Sequence, residues 1–151
     1  MNEDKHFLEQ AIAKSRKSLD EGNFPVGAVV VKDGEILASA VSVPFPGLFH
    51  ADSKAVTEAF NINGFLPGAT LYIGLESCLM CTAVAYWAGI RRIVYAVSKS
   101  KVSGDYYETP ANARPLIKTF NQPIEFVHLK ELEAEALTVV REWEAKQGLK
   151  Q

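Results

Sequence analysis

The sequence predicts an α/β protein, a three-layer α-β-α sandwich built on a mixed five-stranded sheet. Three observations carry that expectation. A helically spaced apolar segment opens the chain, a β-hairpin follows it, and helical and strand-like segments then alternate to the end. The 151 residues are 48% hydrophobic and 23% charged, enough for one core. With no repeat, low-complexity tract or dividing linker, residues 1–151 read as a single domain.

Phe7, Leu8, Ala11, Ile12, Ser15 and Leu19 recur at helical spacing, and Glu21-Gly22-Asn23 ends that helix. Residues 24–32 form a compact apolar strand. Asp33-Gly34 supplies a hairpin turn that tolerates positive φ, and residues 35–43 return as the second strand. Pro44 to Gly47 breaks the pattern and leads to His50. Ala51, Ala55, Val56, Ala59 and Phe60 mark a second helix, stopped by Asn63-Gly64. Residues 69–75 are a third strand, 78–88 an apolar helix closed by Gly89, and 92–97 a fourth strand. Residues 99–115 are irregular and read as a covering loop. A short helix at 116–120, a strand at 124–129 and a helix at 131–147 complete the order.

The formal net charge of −2 suggests no polyanionic partner, and Arg91-Arg92 with Lys99 and Lys101 reads as a solvated strand end. No nucleic-acid partner is expected. The first residues are polar and no apolar run approaches the roughly 20 needed to span a bilayer, so a cytoplasmic protein off the membrane is expected.

The chemistry gathers at a few residues. Cys78 and Cys81 begin a helix directly after a strand, so both sulfurs share one helical face. Free N–H groups at that terminus favour thiolates. Of the three histidines, His50 opens a helix after a loop, the same local geometry as the cysteine pair. One His and two Cys would leave a tetrahedral zinc with an open position, the mark of a catalytic site. Taken alone, the C-x-x-C pair also fits a redox couple or plain buried residues, and His50 an ordinary capping histidine.

His50-Ala51-Asp52 followed by Ser77-Cys78-Leu79-Met80-Cys81 resembles the H-x-E and P-C-x-x-C signature of the zinc-dependent cytidine deaminase superfamily. Residues 25–31 and 68–72 extend the resemblance along nearly the whole chain, and Tyr86-Trp87-Ala88 looks most like the bacterial guanine deaminase branch. The terminal helix also suits the tRNA adenosine deaminases. The resemblance implies a cytidine-deaminase-like fold and one Zn²⁺ per chain on His50, Cys78 and Cys81. It implies a zinc-activated water that attacks the amidine carbon of a nucleobase, with Asp52 shuttling protons as ammonia leaves. It also implies an assembly, and the apolar third helix with Trp87 is the expected homodimer interface.

Three departures from the family pattern stand out. Asp52 replaces a glutamate and is one methylene shorter. Ser77 replaces the proline before the first cysteine. Ser42 aligns where the family commonly places a base-reading asparagine. Phe24, Val26, Ser42, Ala51 and Trp87 are the expected substrate contacts, with Phe49, Tyr106 and Tyr107 as further stacking candidates. Glu76, Asp105 and Glu108 are carboxylates in reserve, read first as solvated surface. The expected function is hydrolytic deamination of a free base, nucleoside or similar small aminated heterocycle. A tRNA-editing deaminase shares the chemistry. A zinc-stabilised binding protein that lost efficient turnover with its glutamate is the reading from another class, and a C-x-x-C oxidoreductase leaves His50 unexplained.

Overall fold

The structure, a computed structural model, describes residues 2–149. Helix α1 (Asn2–Asp20) leads into the hairpin β1 (Gly27–Lys32) and β2 (Glu35–Val41). Then follow α2 (Ala51–Asn63), β3 (Thr70–Leu75), α3 (Leu79–Ala88), β4 (Arg92–Val97), a short α4 (Arg114–Ile117), β5 (Glu125–His128) and α5 (Glu133–Lys146). The expected order holds throughout. The differences are at the ends: α1 begins five residues earlier, β1 three later, and the short helix lies at 114–117 rather than 116–120.

The hairpin turns as its sequence predicts. Asp33 has φ 51° and Gly34 φ 78°, the two left-handed positions that match the twist of paired strands. The sheet order is β2-β1-β3-β4-β5, with β1 antiparallel to both neighbours and β3, β4 and β5 parallel. Helices α1 and α5 cover one face, α2 and α3 the other. This double cover explains why Gly27 to Val31 and Leu71 to Leu75 are buried without alternation.

Helix α1 lies unusually close to the sheet at Gly27. A Cβ there would stand 2.3 Å from Lys14 Cβ, and the Gly27 N–H instead donates to Ser15 Oγ at 2.9 Å. At the far end Arg92 departs from its expected role. It grips buried Asp4 with two hydrogen bonds of 2.8 and 2.6 Å, and the Tyr72 hydroxyl donates to the same carboxylate at 2.7 Å. At Arg92 the strand end is an ion-paired clamp on α1 rather than simply solvated.

The topology also decides where the functional loops emerge. Strands β2, β3 and β4 run the same way, with β1 reversed between the first two. The segments after Val41, Leu75 and Val97 therefore leave one edge of the sheet together. That edge, where β3 separates an antiparallel from a parallel neighbour, is the usual binding crevice of open α/β sheets.

Candidate metal centre

His50 and Cys78 are the N-caps of α2 and α3, both with extended backbone. The α2 cap is locked from both sides, since the His50 N–H donates to Ser53 Oγ at 3.0 Å and Ser53 Oγ donates to the His50 carbonyl at 3.1 Å. In α3 the Cys78 sulfur accepts from the Cys81 N–H at 3.5 Å, and Thr82 Oγ1 donates to the Cys78 carbonyl at 2.8 Å. Cys78 and Cys81 are buried.

The three side chains converge. His50 Nδ1 lies 3.4 Å from each sulfur, and the donor atoms all fall within 4.8 Å of one another. A tetrahedral zinc with ordinary Zn–N and Zn–S bonds sets its nitrogen and sulfur ligands about 3.5 Å apart. The donor set therefore fits the ion. The histidine is also oriented for it: His50 Nε2 is 3.1 Å from the Gly47 carbonyl, which can only accept, so Nε2 keeps a proton and Nδ1 is the nitrogen turned to the sulfurs.

Without metal the donors share protons. The Cys78 sulfur raises His50 to about 9. The bond from the Cys81 thiol lowers Cys78 to about 7, with His50 adding to it. The Cys81 thiol, engaged with Cys78 and buried, is held protonated. One thiolate already exists near neutrality, and the protons on His50 Nδ1 and on the Cys81 thiol must both leave when metal enters.

A cavity opens beside these donors. It encloses about 50 Å³, room for a few water molecules. Phe24, Val26, Ser42 and Ala51 line it, as do His50, Asp52 and Cys78. Asp52 is 2% exposed, accepts the Ser53 N–H at 3.1 Å through Oδ1, and shares the cavity wall with His50 and Cys78. Aromatic rings close the outer side: Phe24 stands 5.1 Å, centroid to centroid, from each of Phe45, Tyr106 and Trp143. Tyr106 and Tyr107 both border the cavity. Their hydroxyls are engaged elsewhere, Tyr106 on Glu144 at 2.5 Å and Tyr107 on the Glu76 carbonyl at 2.7 Å.

Two expected residues are not brought here. Trp87 is 78% exposed, because the buried stripe of α3 runs through Cys81, Thr82, Ala85 and Ala88 and leaves it outside. Phe49, 61% exposed, lines a separate groove along α2. Of the reserve carboxylates, Asp105 and Glu108 are exposed as expected and Glu76 is partly buried; Glu76 and Glu108 are also fastened. Glu76 accepts the Lys99 N–H at 2.8 Å and Arg114 at 3.0 Å, and Glu108 accepts the Leu79 and Met80 N–H groups at the start of α3. Sequence reasoning missed Val43, Ile73 and Leu75 as lining. The signal was available for Leu75, the last residue of the strand that runs into the cysteine turn.

Residues 1–97 match the pattern of the cytidine and deoxycytidylate deaminase zinc-binding region. The chain belongs to the zinc-dependent deaminases. A probable cytosine deaminase of Schizosaccharomyces pombe is 31% identical over 130 residues, 80% of each chain. A tRNA-specific adenosine deaminase of Streptococcus pyogenes is 32% identical over 109 residues, 69% of each chain. The guanine deaminase of Nitrosomonas europaea superposes with a TM-score of 0.72 at 23% identity, covering 92% of this chain and 83% of that one. That likeness is one of fold and does not single out the guanine branch. As a zinc-dependent deaminase, the chain is a hydrolase of cyclic amidine C–N bonds. Among the described residues no helix is long and apolar enough to cross a membrane.

Proposed function

We propose that this deaminase acts on a small, uncharged aminated heterocycle, a free nucleobase or a ring of similar size. The character of the cavity beside His50, Cys78 and Cys81 carries the reading. It is narrow, aromatic-walled, and lined by no lysine or arginine among the described residues. A phosphate would meet no lysine or arginine on its walls and would face the Asp52 and Glu76 carboxylates. Flat rings suit walls built from Phe24, Phe45 and Tyr106.

Asp52 is the proposed proton carrier. Its Oδ1 is oriented by the Ser53 N–H, and its burial beside Cys81 keeps the carboxylate next to the metal donors. When bound, zinc supplies Lewis acidity that brings the pKa of water to about 7. Asp52 then takes one proton of the attacking water to the ring nitrogen, and afterwards the remaining hydroxyl proton to the amino group. The C–N bond breaks, ammonia leaves, and a ring carbonyl remains. Phe24, Val26, Ser42 and Ala51 hold the ring against this carboxylate; Trp87 is withdrawn from that role.

Trp87 is better placed for assembly. With Phe60, Met80 and Val84 it borders an apolar groove between α2 and α3, and a second copy of the chain is the proposed occupant. Sedimentation of Trp87→Glu against the unmutated protein tests this, a shift to monomer being the expected result.

A tRNA substrate is the second reading, supported by the Streptococcus pyogenes relative and by Lys14, Lys17 and Lys54 along the groove beside Leu48 and Phe49. Glu21 and Glu58 in the same groove offset much of that charge. An ammonia-release panel of purines, pyrimidines, nucleosides, amino-triazines and tRNA, run on zinc-loaded protein across salt concentrations, separates the two. Salt-insensitive turnover of a free base supports the first reading. Turnover of tRNA alone, falling by orders of magnitude as salt rises, replaces it with the second.

A further inference from the structure

Among the described residues, one buried side-chain polar atom has no hydrogen-bond partner, and it sits at this site. Ser77 Oγ is closed off from solvent and unpaired. Native proteins leave few such atoms, and those that persist mark a missing ligand, water or functional strain. Ser77 borders two spaces. One is the cavity beside the metal donors, about 50 Å³; the other, behind Glu76, Tyr107 and Glu108, is about 10 Å³, at or below the volume one water needs. The larger space is the one able to deliver a partner, once the hydroxyl turns about its Cα–Cβ bond out of its closed position toward it.

Apart from the metal donors and Ser42, the polar groups packed beside Ser77 are already occupied. Glu76 is held by Lys99 and Arg114, Tyr107 donates to the Glu76 carbonyl, and one Asp52 oxygen accepts the Ser53 N–H. The wall offers a heterocycle abundant apolar contact and few free donors. A spare hydroxyl next to Cys78 is therefore suited to reading one edge of the ring.

We propose that Ser77 is a specificity-determining residue whose hydroxyl donates to a carbonyl oxygen on the substrate ring. The inference rests on the reading of the site as a small-heterocycle pocket and adds a contact that selects among such rings. The unpaired hydroxyl also makes an asymmetric prediction. Removing it should not harm the free protein, because nothing there bonds to it, yet it should harm the complex.

The test compares unmutated, Ser77→Ala and Ser77→Thr proteins, each zinc-loaded with metal content measured. The probes are two pairs differing in a ring carbonyl: cytosine against 4-aminopyrimidine, and guanine against 2-aminopurine. Ligand-induced thermal shift reads binding, and ammonia release reads kcat and KM. Ser77→Ala is expected to keep its zinc and its melting temperature and to lose about tenfold in affinity or kcat/KM for a carbonyl-bearing probe, the size of one hydrogen bond. It should lose nothing for the matching probe without the carbonyl, and Ser77→Thr should restore most of the loss. Equal affinities and rates in unmutated and Ser77→Ala proteins overturn the inference, as does failure of all four probes to bind. Ser77-dependent binding with no ammonia released keeps the contact and rejects deamination of these bases, so the two failures are told apart.

Discussion

Glu108 accepts the Met80 N–H at 2.9 Å and the Leu79 N–H at 3.1 Å, so a loop residue caps the helix that carries Cys81. The N-terminal amides of α3 lower the Glu108 carboxyl below its ordinary value despite some burial. The same loop carries Tyr106 and Tyr107 to the cavity, so this cap joins the roof of the site to its floor.

Glu108→Ala should cost about 0.5–2 kcal/mol of stability, the usual worth of a helix N-cap. Because the roof is held partly through this residue, KM should rise more than kcat falls. Thermal melts and steady-state kinetics check both. Unchanged kinetics with a lowered melting temperature would restrict Glu108 to stability.

Purified protein should carry about one zinc per chain. Cys78→Ala or Cys81→Ala should lose the metal and melt earlier, and a chelator should lower the melting temperature of the unmutated protein. Elemental analysis with thermal melts decides it. Full occupancy in the double variant would remove the cysteines as ligands.

Asp52→Ala should keep zinc and lose about 10²–10⁴-fold in turnover, the usual range for a placed proton carrier. Asp52→Glu is the sharper probe. Asp52 is almost fully buried against a small cavity, so the longer side chain should crowd the attacking water and lower activity on the native substrate. Higher activity would mean the pocket is still shaped for the longer acid. Unaltered kinetics in Asp52→Ala would remove the residue from the mechanism and favour a binding protein or another base.

The clamp on α1 gives a pH prediction. The Arg92 guanidinium holds the Asp4 carboxyl below its ordinary value, with Tyr72 assisting. A depressed folded value means the unfolded chain takes up the proton first. The contribution is complete above the ordinary carboxylate range, near pH 4, and is lost as pH falls through the depressed value. Asp4→Asn should therefore melt earlier at pH 7, and the gap to the unmutated protein should narrow in acid. A gap independent of pH would assign the effect to packing.

Local signals carried much of this molecule. Asp33-Gly34 specified its own turn because positive φ is a property of two residues and their neighbours. Cys78 and Cys81 announced a shared face because helical periodicity is local, and His50 was singled out because it opens a helix as they do. Trp87 stands apart from the cavity for a physical reason. Its size argued for a ring contact, but the side of α3 that meets the sheet is fixed by packing against other elements, which no window of sequence contains.

The sequence by itself determined the order of elements, the donor types and the family chemistry, since each depends on residue identity at short spacing. Tertiary structure decided the rest. It carried His50 to within 3.4 Å of two sulfurs about thirty residues away, because β2 and β3 run the same way and release their loops at one edge. It also made Glu76, and Glu108 at the surface, the fastenings of a loop, and left Ser77 Oγ buried without a partner. Partners distant in the chain are set by strand direction and by which donors burial leaves unsatisfied, and both exist only once the layers have packed.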